Sequence, residues 1–303
     1  SIYFEGAYTD SALARYGYSR DHRTDTKQVN LQVDTTDEGQ VPILYQVLPG
    51  NTADITRPLE HMAALLDFLA RPELVDSAVK PILVSDCKMI TPEAVVACHF
   101  HDLYYLGPVA DSDATRTIIS SVSADALAKH ELKYRPKRVK PDDPDFQPYQ
   151  GVWRPFSVEH GGVDVTDRAV VVWSAGKERL DIKKRKNHLK RLLDDLANIQ
   201  KRLNVRHYKR RTYVEQRLKT VQQRSHWAKG LVEIELTGDD EEMSLHFAIN
   251  RRRLAAAQAL DGRYLLATNA KHLDAHQTLT IYKGQDGIEK RFRTVKGPLL
   301  VHP

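Results

Sequence analysis

One short apolar run constrains the fold more than any other stretch. Pro81-Ile82-Leu83-Val84-Ser85-Asp86 places three aliphatic residues in a row and ends in an acid, with helix-like segments before and after it. A continuous apolar run of this length is typical of a strand buried on both faces. Such strands occur where helices cover both sides of a sheet, so the chain is predicted to be an α/β protein.

The segments around this run predict a mixed sheet. Residues 29–33 alternate in polarity and are predicted to form a strand. Residues 41–48 are predicted to form a second strand after a turn at Asp37-Glu38-Gly39, so the two make an antiparallel hairpin. A helix with an apolar face then ends near Leu69, a second helix starts at Pro92, and residues 103–109 read as another strand. Antiparallel strands followed by helix-linked strands favour a mixed α/β sheet flanked by helices.

The middle of the chain breaks this pattern and is predicted to be an insertion. It is expected to hold strands near 152–158 and 168–174, a long helical region over 177–227, and a hairpin over 231–249. A clean strand then follows from Gly262. We therefore predict three segments, comprising residues 1–109, 110–262 and 263–303.

Charge is unevenly distributed along the chain. The net charge is +5, but residues 177–219 hold sixteen Lys or Arg against five Asp or Glu. A basic arm of this kind suits a polyanion such as DNA, with Trp227 as the best placed of three tryptophans for base stacking. The alternative is a solvated helix face. The candidate phosphate contacts in this arm are Lys184, Arg185, Arg210 and Arg211.

Composition limits the other possibilities. The length of 303 residues suggests about two domains, and no apolar run of about 18 residues is present to span a membrane. Two cysteines, Cys87 and Cys98, give no disulfide framework and fit a reducing cytoplasm. The chain opens on residues that resemble the middle of a strand, so both ends are expected to be cut from a longer protein.

The stretch 281–301 is predicted to be an amphipathic helix that carries one acid among bases. Ile281, Ile288, Phe292 and Val295 recur at helical spacing, and Tyr282, Gln285, Glu289 and Lys296 form the neighbouring stripe. A single carboxylate flanked by bases, with Arg293 close by, suits metal and phosphate chemistry. The alternative is a charged face that is simply solvated.

Asp86 is the second candidate acid. It follows the buried strand, at the sheet edge where α/β proteins place ligands, and with a second acid on a later helix it could share Mg²⁺ or Mn²⁺. The alternative is that Asp86 caps the next helix. Residues 98–102 invite a zinc interpretation, which is disfavoured because no second ligand pair lies at a familiar spacing.

Several blocks of the sequence together resemble one family. Tyr282, Gln285, Glu289 and Lys296 fit the spacing Y-x2-R-x3-E-x6-K, with Gln285 in the Arg position. The other matching blocks are Tyr3-Phe4-Glu5-Gly6, Tyr16-Gly17-Tyr18-Ser19-Arg20-Asp21-His22-Arg23, Pro49-Gly50-Asn51-Thr52-Ala53-Asp54 and Val84-Ser85-Asp86. In these blocks the chain resembles the bacterial insertion-sequence DDE transposases that carry that signature.

The resemblance implies an RNase H-like core interrupted by a largely helical insertion, with Mg²⁺-dependent cleavage and transfer of DNA strands at the element's ends. It implies that Asp86 and Glu289 are catalytic metal ligands and that Tyr282 and Lys296 contact DNA. It also implies a homo-oligomer, a dimer in the active complex, working on terminal repeats and target DNA in the bacterial cytoplasm at the nucleoid.

The family's first acid lies upstream of the block that matches Ser1-Ile2-Tyr3-Phe4, so the resemblance implies that this chain lacks it. Two alternatives therefore stay open. One is an inactive transposase remnant that binds DNA only through the basic arm, and the other is a related nuclease that cuts DNA without joining it.

Overall fold

A computed structural model shows how these segments pack. It describes residues 2–17, 25–39, 41–52, 58–71, 80–85, 89–137, 139–140, 143–144 and 146–285. The chain forms two compact units. The first comprises the described residues of 1–111, 153–170 and 265–285, and the second comprises those of 112–152 and 171–264. Relative to the predicted segments, residues 110–111 and 153–170 of the predicted insertion belong to the first unit, and residues 263–264 of the predicted last segment belong to the second.

The first unit opens with a three-stranded antiparallel sheet. Its strands β1 (Ile2–Phe4), β2 (Lys27–Thr35) and β3 (Pro42–Pro49) lie in sequence order. The β2–β3 pair is the hairpin expected from the alternating pattern, with Asp34 opposite Leu44. A bulge follows Asp34, so the pairing of β2 becomes irregular close to the turn.

Helix-linked strands follow in the first unit, as the sequence predicted. Helix α1 (Pro58–Leu69) precedes β4 (Ile82–Val84), and helix α2 (Pro92–Phe100) links β4 to β5 (Tyr104–Pro108). The start of α2 is fixed locally, because the Thr91 side chain accepts a hydrogen bond from the Ala94 amide and Pro92 follows it. Strands β4 and β5 are parallel, an arrangement that needs a crossover connection, which α2 provides.

A six-stranded sheet has the order β4-β5-β11-β8-β7-β6. Its other strands are β6 (Glu131–Leu132), β7 (Tyr149–His160), β8 (Val163–Trp173) and β11 (Arg263–Thr268). The pairing is mixed, since β5 is parallel to β4 but antiparallel to β11. The class is therefore mixed α/β. Strand β4 stands at the end of this sheet and its three residues are only half-buried, so the prediction that it is buried on both faces was wrong.

The second unit contains most of the basic arm. Its helices are α3 (Asp113–Ser120), α4 (Ala124–Ala128), α5 (Ala175–Arg202), α6 (Arg211–Arg224) and α7 (Arg251–Gln258), and its hairpin strands are β9 (Val232–Thr237) and β10 (Ser244–Ile249). The helical region predicted over 177–227 is thus two helices and short 3₁₀ turns. Asn204 and Arg206 have positive φ angles between α5 and α6, a conformation that cannot continue a right-handed helix.

An apolar cluster holds α5, α6 and the β9–β10 hairpin together, and we call it the hairpin core. Its buried members are Leu192, Leu196, Ile199, Val214, Leu218, Val221, Ala228, Val232, Met243 and Leu245. The leucine stripe that the sequence indicated on the basic arm is therefore the face of α5 that packs inward. Its charged residues lie mainly on the other faces.

The last described helix, α8 (Ala275–Gly284), begins earlier than the sequence predicted. A capping box starts it: the Asp274 side chain accepts from the Gln277 amide, and the Gln277 side chain accepts from the Asp274 amide. Tyr282 lies in the last turn. The rest of the helix predicted over 281–301 lies outside the described residues. Among the helices that the structure describes, none is long and apolar enough to cross a membrane.

Candidate functional site

The structure describes only some of the residues predicted for the metal site and its surroundings. Asp86, Glu289, Arg293 and Lys296 all lie outside the described residues. Tyr282 is described and half-buried on α8. The structure does, however, describe the residues that lead to both predicted acids, namely the end of β4 and the end of α8.

Both of these ends border one cavity in the first unit. The cavity has a volume of about 420 Å³, and its lining includes Val84 on β4 and Gln285 immediately after α8. Asp86 follows Val84 by two positions, and Glu289 follows Gln285 by four. Most of the wall is apolar, with contributions from α1, β4 and α8. Two chain segments that are about 200 residues apart in sequence therefore meet at the same cavity.

Polar groups line part of this cavity. The residues around it include Asp34, near the end of β2, Asp37, in the turn after it, and Gln285. Gly284 lies next to Asp37, since a Cβ atom built on it would be 3.5 Å from Asp37 Oδ1. The oxygen donors of β2 and its turn thus lie beside the end of α8.

Asp34 is paired with a buried histidine that the sequence analysis did not single out. His61 Nε2 on α1 is 2.9 Å from Asp34 Oδ1, and the His61 side chain is only 4% exposed. Among the residues that the structure describes, the buried Asp34 Oδ2 and His61 Nδ1 atoms have no hydrogen-bond partner. A signal for His61 was present, because it lies four residues before Leu65 on the apolar face of the predicted helix.

A second buried carboxylate, Asp167 on β8, lies elsewhere in the first unit. Tyr105 on β5 donates a hydrogen bond to Asp167 Oδ2 at 2.7 Å, and His99 Nε2 at the end of α2 is 2.8 Å from the same atom. We call these three residues the Asp167 cluster. Burial, reinforced by the negative charge of Asp167, raises the pKa of Tyr105 and raises that of Cys98 to about 12. Tyr105 therefore stays protonated and acts as a donor.

This arrangement also decides the zinc interpretation of residues 98–102. His99 is bound to Asp167, and Cys98 is a buried thiol whose raised pKa keeps it protonated, whereas zinc needs a thiolate. Within the described part of the chain, no three His, Cys, Asp or Glu residues converge on a point that could hold a metal.

Arg168 borders a second cavity of the first unit, of about 480 Å³. Its guanidinium stacks 4.1 Å above the ring of Trp153 and donates to the main-chain oxygens of Ala270 and Leu273. Burial lowers the pKa of Arg168. These bonds tie the turn after β11 to β7 and β8, so Arg168 serves the fold.

The basic residues predicted to contact DNA fall into two groups. Lys184 and Arg210 are exposed, and Lys184 Nζ lies 5.1 Å from the ring centroid of Trp227, which is 40% exposed. Arg211 is half-buried and is bonded to Glu215 and to the main-chain oxygens of Gly238 and Leu236. Lys184, Arg210 and Trp227 thus remain accessible for a polyanion.

Arg185 does not share this accessibility. It is buried and forms a two-pronged ion pair with Asp261. The hydrogen bonds that Arg185 donates to that carboxylate raise the pKa of Arg185 against the opposing effect of burial. We therefore withdraw Arg185 from the set of predicted DNA contacts. The charge pattern could not reveal this, because Asp261 lies 76 residues further along the chain.

Comparisons with known proteins give no independent identification. The chain matches none of the known protein families against which it was compared. It also has no match among curated protein sequences.

Proposed function

We propose that this chain is part of a DDE-type DNA transposase with an RNase H-like core, which cleaves and transfers DNA strands at the ends of an insertion sequence. One observation carries the proposal. The end of β4 and the end of α8, which lead to Asp86 and Glu289, border the same cavity of the first unit. Acids arriving from two such segments suit a shared divalent cation, which proteins bind through a small number of carboxylates.

Mg²⁺ or Mn²⁺ bound by Asp86 and Glu289 would supply the activation of an attacking oxygen and the stabilisation of a leaving one. The described residues do the rest of the positioning. Strand β4, paired with β5, and the capped helix α8 each hold one side of the cavity in place.

The exposed bases of the second unit support DNA as the substrate. On α5 and between α5 and α6 they form a run of charge that suits the phosphate backbone. Its exposed members are Lys183, Lys184, Lys186, Lys190, Arg191, Lys201, Arg202, Arg206, Lys209 and Arg210. On this proposal Tyr282, Arg293 and Lys296 contact DNA beside the cavity, the active form is a homo-oligomer, and the protein works in the bacterial cytoplasm at the nucleoid.

The test is a nicking assay on DNA that carries the terminal repeats, using the full protein that the gene encodes. Glu289→Ala and Asp86→Asn are expected to abolish Mg²⁺-dependent nicking and leave DNA binding intact. Glu93→Gln, an exposed acid on α2, is the matched control and should keep full activity. Nicking by Glu289→Ala at the wild-type rate would remove Glu289 from the metal site.

A second candidate function is DNA binding without catalysis, and the exposed basic surface of α5 favours it. In that case the wild-type protein binds the repeats and never nicks them, with or without Mg²⁺ or Mn²⁺. A nuclease that does not join strands would nick the DNA but give no strand-transfer product. The same assay, extended with a target plasmid, separates the three outcomes.

A further inference from the structure

Strand β3 forms an open edge of the three-stranded sheet. In the part of the chain that the structure describes, it pairs only with β2 and lies at the end of the order β1-β2-β3. Tyr45 in the middle of the strand is 71% exposed, and Val41 and Val47 are exposed as well. An open edge presents unpaired main-chain N–H and C=O groups, which are a template for a further strand.

The sequence of β3 does little to protect this edge. Proteins usually block an exposed edge with charged side chains or with proline. Residues 41–49 include no charged residue, and the two prolines of the strand, Pro42 and Pro49, stand at its ends. The stretch between the prolines, residues 43–48, is therefore free of the features that normally prevent a second strand from pairing there.

The pairing of β2 shows which main-chain groups of β3 point outward. Gln28 exchanges two main-chain hydrogen bonds with Arg15 on the side of β2 that β3 occupies, since β1 lies on its other side. Bonded and non-bonded pairs alternate along an antiparallel ladder, so Gln46, which lies opposite Gln32, directs its main-chain groups toward β2. The residues between the bonded ones direct theirs away from β2, and they are Ile43, Tyr45 and Val47.

The two ends of this edge carry opposite charges. The turn between β2 and β3 holds the exposed acids Asp37 and Glu38. At the other end, the exposed Arg15 lies opposite Gln28, one position beyond the Val29–Pro49 pair. Within one copy of the chain the length of β3 separates these charges. A second copy related by a two-fold rotation places its arginine beside the acids of the first, so the edge is complementary to itself.

We propose that this chain forms a two-fold dimer in which β3 of one copy pairs antiparallel with β3 of a second copy. Tyr45 lies opposite Tyr45 of the partner subunit, and Ile43 lies opposite Val47 of the partner subunit. In this register the outward main-chain groups of all three residues meet a partner, and the two small sheets become one continuous sheet.

This inference goes beyond the proposed function, which includes an oligomer but assigns no surface to it. It rests only on residues of the first unit that the structure describes, and it does not depend on the metal site or on nicking. The occupant of the edge is a second copy because the strand is uncharged along its middle and oppositely charged at its ends.

Disulfide crosslinking of the full chain tests the register. Opposed Cα atoms of a bonded pair are about 5.5 Å apart, within the span of a disulfide. Tyr45→Cys is therefore expected to give a dimer band on a non-reducing gel after mild oxidation. Val47→Cys, an exposed position on the same strand, is the matched control, because its two copies would be more than about 13 Å apart.

The wild type serves as the second control, since it shows any crosslinking by the native Cys87 and Cys98. A dimer band for Tyr45→Cys alone supports the proposed register. Equal crosslinking of Tyr45→Cys and Val47→Cys, or crosslinking of neither, overturns it.

Sedimentation equilibrium measures the dimer itself. One shared strand buries less surface than a permanent interface, so the wild type is expected to dimerise with a Kd in the micromolar range. Tyr45→Lys places two like charges opposite each other and should raise this Kd at least about tenfold. Phe100→Lys is the matched control, because Phe100 at the end of α2 is 81% exposed and lies away from β3 in sequence.

Two results would contradict the dimer. A wild type that stays monomeric at about 100 μM overturns the proposal and leaves a strand of another protein as the occupant of the edge. If Tyr45→Lys dimerises as tightly as the wild type, the copies associate through a different face, and the proposal is wrong.

A charge reversal tests the two-fold arrangement. Arg15→Glu and Glu38→Arg should each raise the Kd about threefold or more, because each variant puts like charges side by side. The double variant restores opposite charges and should return close to the wild-type Kd. A double variant as weak as the two single losses combined would show that Arg15 does not meet Glu38 of the partner subunit, and would overturn the antiparallel register. None of these measurements needs nicking, so failure of this inference and failure of the proposed function are separate results.

Discussion

The hairpin core and the Asp167 cluster show two ways of building an interior from the same chain. The hairpin core is built from apolar side chains and leaves most of the charges of α5 and α6 at the surface, apart from the buried Asp181 and Arg185. The Asp167 cluster instead buries a carboxylate, with a side chain only 2% exposed, between Tyr105 and His99. One interior depends on the close packing of aliphatic side chains and the other on satisfied hydrogen bonds.

The difference follows from the elements that carry each interior. Helices present a continuous apolar stripe when leucines recur at helical spacing, so their charges can all point outward. Strands inside a sheet have two faces to cover, and Asp167 on β8 is buried although its neighbours Thr166 and Arg168 are exposed and half-buried, respectively. A carboxylate buried there needs hydrogen-bond partners, and Tyr105 and His99 supply them.

The ion pair between Arg185 and Asp261 gives the largest expected effect, because both of its charged side chains are buried in the second unit. Arg185→Ala leaves the Asp261 carboxylate buried without its partner and should lower the free energy of unfolding by about 3–5 kcal/mol. Urea denaturation measures this change in the free energy of unfolding. Lys184→Ala, the exposed neighbour, should stay within about 0.5 kcal/mol of the wild type. A small effect of Arg185→Ala would mean that the ion pair contributes little to stability, and Arg185 would again be a candidate DNA contact.

The hairpin core should respond to loss of packing. Leu196→Ala removes a fully buried side chain and leaves a cavity, which is expected to cost about 2–5 kcal/mol. Equilibrium denaturation of the variant checks this value. The exposed Leu180 of the same helix provides the control, since Leu180→Ala should cost far less. Equal losses in the two variants would mean that α5 packs through a different face.

The Asp167 cluster should respond instead to the loss of one hydroxyl group. Tyr105→Phe keeps the ring but leaves Asp167 without one of its donors, and a hydrogen bond to a charged group is worth about 1.5–3 kcal/mol. The measurement is again urea denaturation, with Tyr104→Phe on the same strand as a control. If Tyr105→Phe leaves the free energy of unfolding unchanged, His99 alone satisfies the Asp167 carboxylate. The stability of the Asp167 cluster would then not depend on this hydrogen bond.

The smallest effect is a pH dependence at the surface of the second unit. Burial, followed by the charges of His226 and Arg191, lowers the pKa of His188. The unfolded chain then binds a proton that the folded one resists, so this contribution to stability is complete above about pH 6.5 and is lost as the pH falls. The Tm of the wild type should drop more than that of His188→Gln between pH 7.5 and 5.5. If the Tm of both proteins falls equally with pH, His188 is not a source of the pH dependence.

DNA-binding measurements test whether the exposed bases of α5 contact phosphates. Lys184→Ala should weaken binding across all sequences and reduce the dependence of the logarithm of affinity on the logarithm of salt concentration by about one. Fluorescence anisotropy at several salt concentrations measures this slope. Lys129→Ala, an exposed lysine outside the basic arm, should leave the slope unchanged. An unchanged slope in Lys184→Ala would place the DNA elsewhere.

Most individual helices and strands of the first unit could be predicted from the sequence. The β2–β3 hairpin, α1, α2 and β5 follow from polarity patterns and from residues such as Thr91 and Pro92 that fix where an element starts. The break of the basic arm into α5 and α6 was missed, because the positive φ angles at Asn204 and Arg206 are not encoded by a glycine or proline. The leucine spacing alone reads as one continuous helix.

By itself, the sequence determined the mixed α/β class, the basic character of the arm and the two acids that the transposase proposal needs. Only the tertiary structure decided which charges are at the surface, since Lys184 and Arg185 are neighbours in sequence yet one is exposed and the other is buried against Asp261. It also brought Asp34 and His61 together across 27 residues at the cavity that β4 and α8 share. Local patterns specify elements, but burial and pairing depend on which elements meet, and that depends on the whole chain.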